Sequence, residues 1–522
     1  MEGIRKLIKQ SNAPQRVVSI KMKTIKILFV ILLAPIWLNA QDADYLSRLN
    51  NIDKYAEQLL KDWNIPGMGI VIVHKQETIF AKGFGYADLE KGRKATSETI
   101  FPIASNTKLF TAVIAAQLAT EGKLKLDAPI QTYIPEISFH DGALNSSITM
   151  RDLLSHRTGL PGYDGIWINS RFKREDLLAK LSYIKPTLGF REGYIYNNLM
   201  YTTAGLVIER VTSKSWEENV QERIFKPLGM NQSGFAGVGR KPSLHSLSYF
   251  ENSEGKLQSR NFSSQSEALG PAGTIYSSMD DMAKWLTILI NQGRYKKKQI
   301  IPADAIAETT VPNNISDKKG RYEELSNSIY AMGRYLQTYK GTKIISHTGS
   351  IDNFYSNLTY LPQDSLAIFA VHNSASAGTL RSVINLPVID ILLGRQVTDW
   401  SNRYRQEYLE ERVKDMAENK IAAISQVSGT NHSHLIKAYT GTFHHPVYGN
   451  IVISSDEGGL KVNYRDLDTY LDHWHYDQFR SRDDGKGGYS IRLNFLTDNA
   501  GNISQIQTRP FGDPETNFTR IE

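Results

Sequence analysis

The run from Asn106 to Thr120 is apolar on nearly every side. A helix of that composition has no polar face to offer water, so it must be wrapped by other elements inside a layered fold. Pro102 cannot sit within it, so the spacing predicts a buried helix opening at or near Ser105 and stopped by Gly122. Ser105 and Lys108 stand three apart, which stacks hydroxyl and amine on one helix face. A serine hydroxyl attacks a carbonyl at neutral pH only when a base takes its proton. A lysine becomes such a base when burial or cationic neighbours lower its pKa. The apolar wrapping provides that burial, and the positive end of the helix favours a developing alkoxide.

Ser-x-x-Lys alone is a weak signal, because it recurs at Ser182/Lys185 and Ser316/Lys319, both in polar stretches containing Pro or Asn. Tyr-x-Asn is equally common: Tyr196/Asn198, Tyr355/Asn357 and Tyr448/Asn450. Order and flanks separate them. Tyr196-Asn197-Asn198 follows Ser105 by 91 residues, and His347-Thr348-Gly349-Ser350 begins 151 residues after Tyr196.

The segments Ile65 to Val73, Phe101 to Lys108 and Leu153-Leu154-Ser155-His156-Arg157-Thr158-Gly159-Leu160-Pro161 resemble the penicillin-recognising serine hydrolases. More narrowly, they are similar to the branch that holds class C β-lactamases, D-alanyl-D-alanine carboxypeptidases, D-aminopeptidases and β-lactamase-like esterases. Tyr194 to Asn198 with Gly205 and Glu209, Gly270-Pro271-Ala272-Gly273 and His347-Thr348-Gly349 resemble its later landmarks, in order, over residues 46 to 395. The resemblance implies that Ser105 forms an acyl-enzyme while Lys108 and Tyr196 share the proton transfers, with the base left open between them. Tyr196 acts at neutral pH only if cations such as Lys108 favour its anion. Asn198 would hold the substrate amide and orient Lys108. The backbone N–H groups of Ser105 and Ser350 would form the oxyanion hole, the second on an edge strand that begins at His347, where Thr348 and Gly349 would also meet the substrate. His347 stands where class C β-lactamases carry lysine. It is expected to place a donor near the substrate carboxylate and to make activity pH-sensitive.

The fold class expected is α/β (α+β): an antiparallel sheet flanked by helices, with an all-helical lobe and a cleft between them. Strands Met68–Val73 and Thr78–Phe84 form a hairpin around Lys75-Gln76-Glu77, and residues 140 to 240 supply the lobe. Asp281–Gln292 is amphipathic. Ile344–His347, Asn357–Leu361 and Leu366–His372 return to the sheet, and Arg381–Leu393 is the last helix.

At 522 residues the chain is too long for one core. Residues 1–40 read as an N-terminal extension and a secretory signal peptide starting at Met22, with a cut near Ala40; residues 41–395 form the hydrolase domain. Residues 396–430 form a charged helical linker. Residues 431–522, with short alternating strands Tyr439–Phe443, Gly449–Ile453, Leu460–Tyr464, Tyr489–Leu493 and Ile503–Ile506 between Gly and Asp turns, resemble the lipocalin-like β domain that follows many such hydrolases. The net charge of +7 comes almost entirely from residues 1–40, whose removal leaves 54 basic and 53 acidic residues, so no field draws in nucleic acid. Without cysteine there is neither disulfide nor thiolate chemistry.

No cofactor is expected, and no metal, because neither a P-loop nor His-Glu-x-x-His occurs; His473/His475 and His444/His445 on strands are weak metal candidates. The expectation is therefore a periplasmic or secreted serine hydrolase with no stable membrane span after cleavage. It would act on a peptide, amide or ester, cell-wall D-amino-acid peptides among them, and could form oligomers through its β domain. The alternatives are a β-lactamase, disfavoured by His347, and a binder or sensor that keeps the fold without turnover.

Overall fold

The computed structural model describes residues 47–236, 242–252, 255–260, 267–318, 320–424, 426–482 and 490–521. The signal-peptide reading, Lys319 of one Ser-x-x-Lys pair and Tyr489 of one expected strand lie outside them.

Helix α1, residues 47–62, leads into β1 (Gly67–His74), which turns at Lys75 (φ +58°) into β2 (Glu77–Asp88). After the short β3 (Arg93–Lys94) come, with shorter helices between them, three long helices: α2 (Thr107–Thr120), α3 (Asn198–Thr212) and α4 (Met279–Ile290). The chain then lays down β4 (Asn314–Asp317), β5 (Ser328–Tyr330), β6 (Tyr335–Tyr339), β7 (Thr342–Ile351), β8 (Phe354–Leu361) and β9 (Leu366–His372). Helix α5 (Leu386–Leu392) completes the domain. These nine strands form one sheet in the order β4-β5-β6-β7-β8-β9-β1-β2-β3, every pair antiparallel.

Both faces of the sheet are covered, which is why β1 and β9 carry almost no polar residue. On β1, Met68, Ile70 and Ile72 point into a core shared with α1 and α5, whereas Val71 and Val73 point to the opposite core, shared with α2, α3 and α4. Twelve of the fourteen residues of α2 are buried, so it is enclosed by the sheet on one side and the helical lobe on the other.

Among the boundaries that differ from the sequence reading, two bear on the core and the site. The last helix starts at Leu386 rather than Arg381, because Pro387 lacks the N–H that the second turn of a longer helix would need, and it sits instead in the first turn. Strand β7 starts at Thr342 and is interior to the sheet, paired with β6 through Ser346; only from His347 onward does it lose that partner.

Helix α6 (Trp400–Ile424) is more than a charged connector at its start. Trp400 is fully buried with its Nε1 donating to Tyr339 Oη (3.0 Å), and Ser401 Oγ accepts from Trp63 Nε1 (2.9 Å).

The C-terminal strands β10 (Gly441–His445), β11 (Gly449–Asp456), β12 (Gly459–Tyr464), β13 (Leu467–His475), β14 (Gln478–Ser481), β15 (Arg492–Thr497), β16 (Ile503–Thr508) and β17 (Thr516–Arg520) close into a barrel. Its interior is filled by side chains such as Phe443, Val462, Phe479, Phe495 and Phe518, as eight strands allow. Three of these strands, β13, β14 and β17, are missing from the strands named in the sequence reading, which touches β13 only through His473/His475. In β13 a register shift between His473 and His475 breaks the period-two pattern, β14 is only four residues long, and β17 carries one large apolar residue, Phe518. Among the described residues no helix is long and apolar enough to cross a membrane.

Candidate active site

Ser105 lies in a 3₁₀ turn, Ala104–Asn106, that precedes α2. Ala104 takes φ +50°, a strained conformation for a residue with a Cβ, of a kind found where a backbone must present a side chain. Surrounding contacts hold it there. Asn106 Nδ2 donates to Ser356 Oγ (2.9 Å), and Ser356 Oγ donates to the Ile103 carbonyl (2.8 Å). Strand β7 approaches so closely that a Cβ on Gly349 would sit 2.5 Å from the Ile103 oxygen, so only glycine fits. The stretch of β7 without a β6 partner therefore runs beside the serine turn.

Lys108 is completely buried, and its ammonium donates in three directions: to Ser105 Oγ (3.2 Å), Asn198 Oδ1 (2.6 Å) and the Ala272 carbonyl (2.8 Å). The Ala272 carbonyl comes from the Gly270–Gly273 turn, seated against Gly205 of α3 so tightly that a Cβ there would meet Pro271 at 2.2 Å. Burial pushes the Lys108 amine from 10.5 down to about 7, against the opposing pull of the Asp164 carboxylate.

Tyr196 lines the same space, its ring centroid 4.8 Å from Lys108 Nζ. Burial drives its hydroxyl well above the ordinary tyrosine value of 10.0; the neighbouring Tyr335 adds to this and a hydrogen bond with Ser105 offsets only part. The anion that the sequence reading asked of Tyr196 is therefore disfavoured. Asn198 opens α3 behind the N-cap Asn197, and its amide is held at both ends: Oδ1 by Lys108, and Nδ2 donating to Asp164 Oδ1 (2.8 Å). A carboxylate only accepts, so Asp164 fixes which end of the amide faces the lysine.

His347 differs from the titrating donor of the sequence reading. It is 2% exposed, Nδ1 donates to the Thr348 carbonyl (2.6 Å), and Nε2 accepts from the Tyr330 hydroxyl (3.0 Å). Burial, with Lys108 second, pushes it down to about 3, so it is a neutral support of β7 at neutral pH. Beyond it along β7, Thr348 is half-buried, Gly349 buried and Ser350 exposed. Ser182 and Lys185 form no such constellation: Ser182 Oγ donates to the Ala179 carbonyl and Lys185 is exposed.

Four parts of this arrangement escape a sequence reading for site residues. Asp164 carries no spacing signature. His156, at φ +57°, accepts the Asn197 N–H on Nδ1 (3.1 Å) and accepts the Ile195 N–H on its carbonyl (3.1 Å), holding the Tyr196 segment in place. Ala272 acts through a backbone oxygen, which side-chain identity does not reveal, and Tyr330 is one tyrosine among 26. Two of the barrel histidines have partners elsewhere: His473 Nε2 donates to the Tyr476 carbonyl, and His475 Nδ1 accepts the N–H of Val427, which precedes the barrel. Among the described residues no group of three or more His, Asp or Glu side chains could hold a metal ion.

The family model described as Beta-lactamase matches residues 52–388, and a second, described as a domain of unknown function (DUF3471), matches residues 425–522. Similar curated proteins include unguisins hydrolase ungD' of Aspergillus campestris, 27% identical over 423 residues with 77% of each chain covered. Protein flp of Staphylococcus aureus strain N315 is 26% identical over 367 residues, covering 68% of this chain and 70% of its own. Among solved structures, the octameric penicillin-binding protein homologue from Pyrococcus abyssi superposes with a TM-score of 0.59 at 21% identity over 88% of this chain and 98% of its own. A D-stereospecific amidohydrolase from Streptomyces sp. gives a TM-score of 0.51 at 22% identity over 62% of this chain and 93% of its own. With the Beta-lactamase model covering more than half of its length, this chain belongs to the β-lactamase family of serine hydrolases.

Proposed function

We propose that this chain is a secreted hydrolase that acylates Ser105 with a peptide, amide or ester and then releases the acyl group to water. The observation that carries the proposal is the buried Lys108 amine, 3.2 Å from Ser105 Oγ and with its pKa lowered to about 7. Near neutral pH a large share of it is unprotonated, which suits a general base. Tyr196, by contrast, keeps its proton, which favours Lys108 for the first transfer.

In the proposed cycle neutral Lys108 takes the Ser105 proton as Oγ bonds to the carbonyl carbon. The N–H groups of Ser105 and Ser350 receive the oxyanion. Tyr196 passes its proton to the leaving nitrogen or oxygen and regains one from the Lys108 ammonium. Water then repeats the sequence on the acyl-enzyme and frees Ser105. The substrate class we favour is a peptide with D-configured residues. Support comes from two similar solved structures, a D-stereospecific amidohydrolase from Streptomyces sp. and SurE with D-Leu. Secretion rests on the charged and apolar pattern of residues 22–40. The octameric Pyrococcus abyssi homologue supports self-association, which light scattering would read.

The test is intact-protein mass spectrometry after a fluorophosphonate and, separately, a penicillin, with Ser105→Ala as control. One adduct on Ser105, absent from the variant, is expected. Paired D- and L-aminoacyl anilides then report the stereochemistry. No adduct from either reagent on folded protein would replace the hydrolase reading with the non-catalytic binder.

A further inference from the structure

The barrel touches the catalytic domain at the loop that carries Asp164. Three barrel turns at one end take part: the β10–β11 turn with Tyr448, the β12–β13 turn with Arg465, and the β16–β17 turn with Asp513. Arg465 drives its guanidinium into the turn that follows Asp164, donating to the carbonyls of Gly165 (2.6 Å) and Ile166 (3.1 Å), and also to that of Ile168. Asp513 Oδ2 accepts the Gly165 N–H (2.9 Å) and the Tyr448 hydroxyl (3.0 Å). Asn169 Nδ2 adds a bond to Asp466 Oδ2 (2.6 Å). The fit leaves no room, since a Cβ on Gly165 would lie 2.5 Å from the Pro510 oxygen and 2.6 Å from Asp513 Oδ2.

From the other side of the same turn, Asp164 Oδ1 accepts from Asn198 Nδ2 (2.8 Å) and from Trp167 Nε1 (2.9 Å). A continuous chain of hydrogen-bonded groups therefore runs from the barrel through the 164–168 turn and Asn198 to Lys108 and Ser105. Each link is directional. Arg465 donates to backbone carbonyls, which orients the turn. The oriented turn presents a carboxylate, and the carboxylate accepts only the NH₂ end of the amide, leaving the amide oxygen for the lysine.

We propose that Arg465 and Asp513 of the barrel are positioning residues of the active site: by gripping the 164–168 turn they fix Asp164, and through it the orientation of Asn198 against Lys108. The barrel is thus part of the catalytic assembly although it supplies no group that touches the reacting atoms. This rests on the reading of Ser105 and Lys108 as nucleophile and base.

The test is carried out on the full chain with a fluorophosphonate as probe, following the rate of adduct formation on Ser105 from pH 5 to 9. Wild type, Arg465→Gln, Asp513→Ala, Arg465→Lys, Gly165→Ala and Asp164→Asn are compared, with thermal unfolding of each as the check on folding. Arg465→Gln and Asp513→Ala are expected to slow labelling at least about tenfold, as loss of an outer orienting partner does, with Arg465→Lys in between. Because the Asp164 carboxylate raises the Lys108 pKa, Asp164→Asn moves the acid limb of the profile to lower pH. The barrel variants are expected to move it the same way, a shift that a purely structural weakening would not give. Gly165→Ala, which wedges the turn off the barrel without touching Arg465, is expected to match them and stands in if Arg465→Gln does not fold. Folded variants that label at the wild-type rate, or slowly with an unmoved acid limb, overturn the proposal. Wild type that takes no adduct overturns the nucleophile reading itself, and this one with it.

Discussion

Replacing Lys108 by methionine should make the stability of the protein respond differently to pH, in a direction set by the burial of the amine. In the unfolded chain the amine titrates near 10.5, and in the fold near 7, because the charged form is desolvated among α2, α3 and the Gly270–Gly273 turn. The folded state therefore binds fewer protons than the unfolded state between those values, and wild-type stability rises with pH across that window. Below pH 7 the penalty for charging the buried amine is present in full; it fades as pH climbs towards 10.5. From pH 6 to pH 9 the wild type should gain about 3 kcal/mol relative to Lys108→Met. Methionine also leaves Asn198 Oδ1 and the Ala272 carbonyl without their lysine donor, an offset of about 1–3 kcal/mol for each buried acceptor, but that offset does not change with pH. The measurement is urea unfolding of both proteins at pH 6, 7, 8 and 9, with equal slopes against denaturant required for the comparison. A stability difference that stays flat with pH would mean that Lys108 is fully charged in the folded protein throughout this range. The reasoning that makes it a neutral base would then be wrong.

Other consequences can be checked separately. The kcat/KM profile of the wild type should fall about tenfold per pH unit below an apparent pKa near 7, as the base becomes protonated. In His347→Asn the rate should drop while that limb stays in place, since His347 is neutral down to about pH 3; a limb that vanished in this variant would assign it to the histidine instead. Gly349→Ala puts a methyl group 2.5 Å from the Ile103 carbonyl and should cost about 1–3 kcal/mol in thermal unfolding while displacing the serine turn enough to reduce labelling; unchanged labelling would separate β7 from the site. Trp400→Ala should destabilise the catalytic domain by about 3–5 kcal/mol, read by denaturant unfolding, because its indole is fully buried and bonded to Tyr339; an effect below about 1 kcal/mol would make the start of α6 a mere connector.

Much of the architecture can be read from the chain because it depends on local pattern. A run that is apolar on all sides must become a buried helix, and the short continuous apolar runs of Gly67–His74 and Leu366–His372 fit strands with both faces covered. The spacing of Ser105 and Lys108 likewise brings the two groups within reach, with the serine in the 3₁₀ turn that leads into α2 and the lysine in the first turn of α2 itself. Where the pattern slips, as at the bulge of β13, or where one proline decides a boundary, as at Pro387, local reading misplaces elements by several residues or misses them.

What the site can do chemically was settled only in three dimensions. The lowered pKa of Lys108 belongs to the packing of α3 and the Gly270–Gly273 turn around it, not to lysine or to its neighbours in sequence. The proton held by Tyr196 and the neutrality of His347 have the same origin, because desolvation is a property of the whole enclosing shell. Asp164, the Ala272 carbonyl and the barrel residues Arg465 and Asp513 reach the site across separations of up to several hundred residues, with no periodicity to announce them. The sequence by itself determined a nucleophile, a candidate base and the layers that bury them. The tertiary structure decided the ionisation of those groups and which end of the Asn198 amide faces the lysine, because burial and hydrogen-bond direction exist only once distant segments have met.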